Sequence, residues 1–278
     1  MFHTFFNVTT TVVLIPFMKP LTKLAALIVP GKKEKAKADK EKAALLKYVD
    51  ERLLNSPSIA IGQFRRELMR MMDMACKNLE IAMDSVITVD LSKQAEFDET
   101  DKLLHKINSA LIHYLIEMSG MEIDLGLETE IATYHKVVSD ISRIDELAQN
   151  VTEYAAALKN NEVALSEDAK AQLGEMRSAL YELRVGVQTG FDNRDISGYE
   201  HVSQLEENID YLYMTMEQSH IKRMNAGDCN AQAATIYIPI INNLERIGDH
   251  MYNVYRSMKS YVKAPSKVKA KKVDGEQA

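Results

Sequence analysis

Two pairs of carboxylates, each spaced four residues apart, are the part of this sequence best suited to chemistry. They are Glu206 with Asp210, and Glu245 with Asp249. Because an α-helix turns by about 100° per residue, positions i and i+4 lie on one face, about one turn apart. In both pairs the Glu directly follows a leucine of an apolar stripe. If the two helices are neighbours, the four carboxylates converge on one site, with Asn253 one turn beyond.

Such a site is suited to a hard cation. Two like charges one turn apart on a helix repel by roughly 0.2–0.5 kcal/mol when no counter-ion is present. Mg²⁺, Ca²⁺, Mn²⁺ or Fe³⁺ would remove that cost by taking carboxylate oxygens as ligands. The spacing alone is common, however, and it is equally typical of acids on a solvated helix face.

The first half of the chain carries a weaker version of the same pattern. Asp101 and His105 stand where the first pair is expected, and Ser142 and Glu146 stand where the second pair is expected. A site in this half is therefore predicted to be weaker or of different composition. His105 alone is also typical of a solvated surface histidine.

The elements that position these residues are predicted to be helices. Residues 58–238, a stretch of 181, contain no proline and are rich in Ala, Leu, Met, Glu and Lys. A β-sandwich or barrel would need turn residues every ~8–12 positions, and these are missing. The apolar period near 3.6 predicts six helices, over about Ser58–Val86, Asp98–Met118, Val137–Leu158, Ser166–Gly190, Val202–Met216 and Tyr237–Met258. Pro239 is expected to kink the last helix or to mark its first turn.

The six helices fall into two similar halves. Residues 139–151 align with residues 242–254 at an offset of 103, with four identical positions in thirteen. This predicts an internal duplication, with three-helix repeats at residues 58–162 and 163–263. The predicted fold class is all-α, built as tandem three-helix bundles. Chance similarity between two amphipathic helices is the alternative explanation.

The charge distribution limits the classes of partner. The chain has a net charge of −6, but its basic flanking segments carry +11, so residues 48–255 carry −17. An acidic body is poorly suited to nucleic acid, and none is predicted as a partner. It favours cations or basic protein surfaces. Cys76 and Cys229 are the only cysteines, which is consistent with a reducing compartment.

The N-terminal region is predicted to be a membrane segment. Residues 2–18 hold no Asp, Glu, Lys or Arg, and a second apolar run continues to Pro30. Residues 1–30 are therefore assigned to the membrane, with a buried core helix as the alternative. Residues 31–57 form a basic linker, which the positive-inside rule places in the cytoplasm. This predicts a cell (inner) membrane location with the helical domain on the cytoplasmic side, and a disordered basic tail at 264–278.

The string Asn-Leu-Glu-Arg-Ile-Gly-Asp-His at residues 243–250, with Asn253 and Val254 behind it, closely resembles the repeat motif of the PhoU family of phosphate-signalling proteins. The three-helix duplication is similar to the layout of the same family. The N-terminal residues 3–7 and the run ending in Pro16-Phe17 look like the last membrane segment of bacterial sodium/phosphate (Na/Pi) cotransporters that carry a C-terminal PhoU domain.

The resemblance implies a cytoplasmic regulatory or accessory domain, not an enzyme, that modulates phosphate uptake or signalling. Its partner would be the membrane transport domain of such a cotransporter or another phosphate-uptake protein, and a homodimer is a further arrangement. It also implies a bound metal (iron, manganese, magnesium or similar), with ligands drawn from Glu206, Asp210, Glu245 and Asp249 and, more weakly, from Asn253, Asp101, His105 and Glu146.

Two alternatives stay open. The first is a metal-free helical adaptor, a stand-alone PhoU-like phosphate-signalling protein that binds a partner through its acidic face. The second is a ferritin-like di-iron enzyme, which requires two Glu-x-x-His motifs. The sequence supplies Glu217-Gln-Ser-His220 alone, and this disfavours the second alternative.

Overall fold

The computed structural model describes residues 6, 45–227 and 230–262. The chain divides into two units, Met1–Lys47 and Tyr48–Ala278, and the elements described below belong to the second unit. After a short 3₁₀ helix at Glu51–Asn55, the second unit contains α1 (Pro57–Thr88), α2 (Gln94–Ser119), α3 (Leu125–Asn160), α4 (Glu167–Asn193), α5 (Tyr199–Ala226) and α6 (Ala231–Ser257). A 3₁₀ turn at Met258–Ser260 follows. The described residues form no strand, and the predicted all-α class is confirmed.

Short polar side chains start three of the helices. Asp124 and Ser166 each accept a hydrogen bond from the backbone N–H three residues on, at 3.0 and 3.3 Å. Asn230 accepts one from the N–H two residues on, at 2.8 Å. These bonds satisfy N–H groups that have no partner within the helix. At the other end of a helix, Gly227 terminates α5 with φ at +78°, a conformation that favours glycine.

Helix α6 begins earlier than the sequence pattern predicts. The pattern places its start near Tyr237, whereas Asn230 caps it so that it begins at Ala231. Pro239 therefore lies inside the helix and not in its first turn. The Asn243 side chain donates to the Pro239 carbonyl at 2.7 Å, one turn further along the helix.

The six helices pack as two three-helix bundles that share a centre. Helix α3 packs against α1 and α2 in the first bundle, and α6 packs against α4 and α5 in the second. The bundles meet where α3 lies against α6 and α1 against α4. Buried rings connect three of these helices: Phe64 of α1 stacks on Tyr134 of α3 at 5.6 Å, and Tyr134 meets Phe191 of α4 at 5.9 Å.

Helices α3 and α6 run antiparallel to each other. Asp140 contacts His250 through Oδ1 and Nδ1 at 2.8 Å, while Asn150 donates to Asn243 at 3.2 Å. As the residue number rises along α3 it falls along α6, which fixes the direction. The two helices that show the internal duplication are therefore packed against each other.

The predicted membrane segment at residues 1–30, apart from Phe6, lies outside the described residues, as does most of the predicted linker and all of the tail at 264–278. Within the part that the structure describes, no helix combines the length and the apolar character needed to cross a bilayer.

The contact between α4 and α6 leads to a stability prediction. A Cβ added at Gly190 would lie 2.1 Å from Cε2 of the buried Tyr255 ring and 3.0 Å from the Asp195 carbonyl oxygen. We expect Gly190→Ala to lower the free energy of unfolding by about 1–3 kcal/mol because the ring must move. The matched control is Gly174→Ala in the same helix, where a Cβ meets nothing within 4 Å.

Urea denaturation followed by circular dichroism measures both variants. The control should gain roughly 0.5–1 kcal/mol, the ordinary effect of replacing glycine inside a helix. A Gly190→Ala protein as stable as the control would contradict the proposed close contact.

Candidate metal centre

A glycine allows α5 and α6 to approach closely at the predicted site. A Cβ added at Gly248 would lie 3.1 and 3.2 Å from the Cγ2 and Cδ1 atoms of Ile209. Ile209 is fully buried, and it lies between the two acids of α5 in the sequence. Gly248 occupies the corresponding position between the two acids of α6. This contact therefore brings the two acidic stretches to the same level of the bundle.

Three of the four predicted carboxylates converge there. Oxygen atoms of Glu206, Asp210 and Asp249 all lie within 4.8 Å of one another. Glu206 and Asp249 are half-buried, and Asp210 is exposed. The group thus forms a cluster at the edge of the α5–α6 interface, open to solvent on one side.

The cluster destabilises its own negative charge. Partial desolvation is the main cause of the raised pKa of Glu206, followed by the charges of Asp210 and Asp249. The pKa of Asp210 is raised by desolvation and then by Asp249 and Glu207. None of the clustered carboxylates has an ion-pair partner within 4.0 Å among the described residues. The charge of Arg256 acts on Glu206 in the opposite direction, but it offsets the repulsion only in part, because the pKa stays raised.

The other two predicted ligands of this half are placed differently. Glu245 is half-buried on α6, and its pKa is raised by desolvation, then by the charges of Asp249 and Asp210. It adds charge to the site without joining the group of three. Asn253 accepts a hydrogen bond from Arg256 at 2.7 Å, so its amide oxygen already has a partner.

The first half of the chain has a polar cluster at the corresponding place, with a different composition. Asp145 of α3 is almost fully buried, and Asn78 of α1 donates to its Oδ1 at 2.7 Å. Asp101 of α2 forms a further hydrogen bond with Asp145. His105 Nε2 lies 3.3 Å from Asp101 Oδ1. Two of the weaker predicted residues, Asp101 and His105, are therefore neighbours.

Asp145 was missed by the sequence reasoning, which selected Glu146. Glu146 is ion-paired with Arg143 of the same helix on the outer face, and Ser142 is half-buried nearby. At the offset of 103, Asp145 aligns with Gly248. This alignment could have identified Asp145, because it places an acid where the other repeat has a glycine that packs against a neighbouring helix.

The donor set of the second half fits a hard cation. Three carboxylates supply oxygen ligands, which Mg²⁺, Mn²⁺, Ca²⁺ and Fe³⁺ prefer, while no thiol or imidazole belongs to the group. Their repulsion is only partly offset by Arg256, so a cation there would stabilise the α5–α6 contact. In the first half, the buried carboxyl group of Asp145 already has hydrogen-bond partners in Asn78 and Asp101.

The buried Asp145 leads to a prediction about pH. Burial is the main cause that raises its pKa from 3.8 to about 7, partly offset by the Asn78 hydrogen bond and reinforced by Asp101. Between these two values the folded state binds a proton that the unfolded state lacks, so this group lowers stability as the pH rises from about 4 to 7. We expect Asp145→Asn to be more stable than the wild type at pH 8 by about 1–2 kcal/mol, with little gain at pH 4.

Chemical denaturation at a series of pH values measures this difference. Glu146→Gln is the matched control, because it removes a carboxylate from the next residue on the outer face and should not reproduce the gain. A difference between Asp145→Asn and the wild type that stays constant from pH 4 to 8 would show that Asp145 does not titrate in this range.

Comparison with known proteins shows what the region that contains the α5–α6 cluster is similar to. Residues 165–258 match the family described as PhoU domain. The chain is 27% identical over 132 residues to a phosphate-specific transport system accessory protein PhoU homolog of Deinococcus radiodurans, covering 48% of this chain and 61% of the relative. It is 18% identical over 266 residues to the putative inorganic phosphate export protein YjbB of Escherichia coli K12, covering 92% of this chain and 47% of the relative.

In both cases the chain spans less than two thirds of the relative's length. Among solved structures, PhoU from Pseudomonas aeruginosa superposes with a TM-score of 0.66 at 20% identity, covering 72% of this chain and 95% of that one. This likeness supports the fold. The matched region contains the whole of α4, α5 and α6, together with the clustered carboxylates Glu206, Asp210 and Asp249. Residues 165–258 of this chain are therefore similar to the PhoU domain in sequence.

Proposed function

We propose that this protein is a PhoU-type accessory protein that regulates phosphate uptake by binding a component of a phosphate transport system, without catalysing a reaction. The observation that carries the proposal is the similarity of residues 165–258 to the PhoU domain. The Deinococcus relative, named as an accessory protein of the phosphate-specific transport system, supports the same role. Of the two arrangements considered, a stand-alone adaptor has more support than a domain of a sodium/phosphate cotransporter.

An adaptor needs a surface for its partner, and α5 offers one. Four large apolar side chains of this helix are about half exposed: Tyr211, Met214, Ile221 and Met224. The exposed Asp210 and Glu207 lie on the same helix. This mixture suits a partner with an apolar surface bordered by basic residues, in keeping with the net charge of −17 over residues 48–255.

A hard cation at Glu206, Asp210 and Asp249 is part of this proposal. Its role would be structural, because it would neutralise three carboxylates at the α5–α6 contact and hold the two helices together. Glu245 would strengthen the local negative potential. The protein thereby presents a different charge on this face when the cation is bound.

The cation is tested with Asp249→Asn. Without metal we expect this variant to be as stable as the wild type or slightly more stable, by roughly 0.2–0.5 kcal/mol, because one repulsion is removed. Saturating Mn²⁺ should raise the Tm of the wild type, and at 100 times the Kd it adds about 2.7 kcal/mol to the free energy of unfolding. The same Mn²⁺ should have little effect on the variant.

Thermal unfolding of chelator-treated protein, repeated with added Mn²⁺ or Mg²⁺, gives both comparisons. Glu175→Gln is the control, since it removes an exposed carboxylate of α4 that is not part of the cluster. An equal metal-dependent rise in Tm for wild type and Asp249→Asn would place the cation elsewhere. No rise in the wild type would favour the metal-free adaptor.

A second candidate is a regulatory domain within a membrane protein that moves phosphate. The alignment with YjbB covers 92% of this chain, so it must include residues before α1. A domain on the cytoplasmic side of the inner membrane, attached to a transport domain, is consistent with that alignment and with the predicted segment at residues 1–30.

The role in phosphate uptake is tested by deleting residues 165–258 in the organism that encodes the chain. We expect the initial rate of radiolabelled phosphate uptake to lose its dependence on external phosphate, because the regulatory contact is gone. Restoring the intact chain should restore that dependence, and Glu175→Gln should restore it equally well. Uptake that responds normally to external phosphate after the deletion would contradict the proposed function.

A further inference from the structure

A second site in the PhoU-like region lies away from the carboxylates. A half-open cavity of about 140 Å³ is lined by the start of α4, the last turns of α5 and the start of α6. Its polar lining includes Ser166, His220, Arg223 and Asn230. This volume is well below the ~300–1,000 Å³ of pockets that take drug-sized ligands, so it limits the occupant to a small ion or molecule.

Two buried nitrogen-bearing side chains face this cavity with unused hydrogen-bonding groups. Arg223 is 8% exposed, and its Nε and Nη2 atoms have no partner among the described residues. His220 is 3% exposed, and its Nε2 atom likewise has no partner within the described part of the chain. Buried donors and acceptors are normally satisfied, because an unpaired one loses its hydration without replacement. The two side chains are therefore suited to a ligand that supplies the missing bonds.

The guanidinium group of Arg223 is held in a fixed orientation. Its Nη1 atom donates to Ser219 Oγ at 2.7 Å and to Gln172 Oε1 at 3.2 Å. Gln172 also accepts a hydrogen bond from Tyr237 at 3.0 Å. These contacts leave the Nε–Nη2 edge free. That edge carries two parallel N–H groups, the arrangement that binds two oxygens of a carboxylate or phosphate.

The electrostatic environment of the cavity favours an anion. Among the described residues, those that line it include no carboxylate. The N-termini of α4 and α6 both adjoin it, and each carries the partial positive charge of a helix start. The acids in the first turn of α4, Glu167 and Asp168, are exposed, and α6 has no acid in its first turn. Ser166 and Asn230 add a hydroxyl and an amide donor at the rim.

We propose that this cavity binds one inorganic phosphate ion, with the Nε–Nη2 edge of Arg223 donating to two of its oxygens and His220 Nε2 bonded to a third. Ser166 completes the shell with its hydroxyl group. The choice of phosphate among tetrahedral oxyanions rests on the proposed function and on His220. Burial, followed by the nearby charge of Arg223, lowers the pKa of His220 and keeps its ring neutral.

A neutral ring distinguishes phosphate from sulfate. Inorganic phosphate carries at least one proton at neutral pH, so a P–OH group can donate to a neutral Nε2 atom. Sulfate carries none, and it meets only a lone pair there. The site should therefore bind phosphate more tightly than sulfate, although the two ions have the same shape and similar size.

The experiment measures binding of radiolabelled phosphate to the full chain by equilibrium dialysis in the presence of a chelator, which removes any contribution from metal at the carboxylate cluster. We expect saturable binding of one phosphate, and a loss of affinity of at least about tenfold in Arg223→Gln, since a charge-assisted hydrogen-bond pair is removed. Arg184→Gln is the matched control. It removes the same charge from a half-buried arginine that pairs with Asp73 on another face.

A second variant keeps the test decisive if Arg223→Gln does not fold. His220→Phe preserves the ring contact with Tyr237, at 5.0 Å between centroids, but removes the nitrogen. It should weaken phosphate binding without weakening sulfate binding.

Equal affinity of the wild type for phosphate and sulfate would overturn the assignment to phosphate. If the wild type shows no saturable phosphate binding up to about 10 mM, the proposal that this cavity binds phosphate is wrong. A nucleoside monophosphate that competes as well as free phosphate would overturn the assignment to the free ion, because the cavity of about 140 Å³ limits its occupant to a small ion or molecule.

The outcome is separable from that of the proposed function. Binding that depends on Arg223, together with normal regulation of uptake after the domain is deleted, would leave this site standing and remove the regulatory role. Altered regulation together with no phosphate binding would do the reverse.

Discussion

The contact between Gly248 and Ile209 is the constraint on which the acidic site depends. Without a side chain at position 248, α6 lies close enough to α5 that a Cβ would come within 3.1 Å of the isoleucine. The carboxylates of Glu206, Asp210 and Asp249 project from beside this contact and are thereby held within 4.8 Å of one another. Apolar packing and charge repulsion oppose each other at the same place. Packing prevails because Ile209 is fully buried and the acids keep partial access to solvent.

The first repeat reaches a different solution at the same position. Asp145 takes the place of the glycine, and its buried carboxyl group is satisfied by Asn78 and Asp101. A carboxylate in such a position would cost much more than one at the rim, and its raised pKa is the direct consequence. The two repeats therefore share a helix arrangement while differing in chemistry. One has an open group of acids suited to a cation, and the other has a closed hydrogen-bonded cluster.

Much of the fold could be predicted because it depends on local periodicity. The apolar spacing identified all six helices, and Ser166 marked a real start, since side-chain capping is a property of a few adjacent residues. The start of α6 was misplaced because Asn230 caps it upstream of Pro239, and a proline inside a helix is a poor guide to its boundary. The convergence of Glu206, Asp210 and Asp249 could be predicted because the acids stand at the same position relative to the apolar stripe of each helix. The prediction needed one further assumption, that the two helices are neighbours.

Other features depend on contacts between distant parts of the chain. Asp145 was overlooked because its burial depends on Asn78, 67 positions earlier in the chain. The sequence analysis named His220 only as part of a ferritin-like motif, and no sequence pattern around Arg223 predicts that this residue lines a cavity. Both face the starts of two other helices, α4 and α6, and that arrangement is set by tertiary packing.

The distribution of charge along α5 explains how two sites of opposite sign share one helix. The acids Glu206 and Asp210 lie in its N-terminal half, whereas Arg223 lies in its last turn. The last turn of a helix favours positive charge, which suits Arg223, whereas Glu206 and Asp210 lie beyond the first turn and gain little from the start of the helix. From Asp210 to Arg223 the helix rises by about 20 Å, more than the ~8 Å screening length at physiological ionic strength. The anion cavity therefore keeps its positive potential although the domain as a whole is acidic, and a cation at one end and an oxyanion at the other can be bound without competing for the same charges.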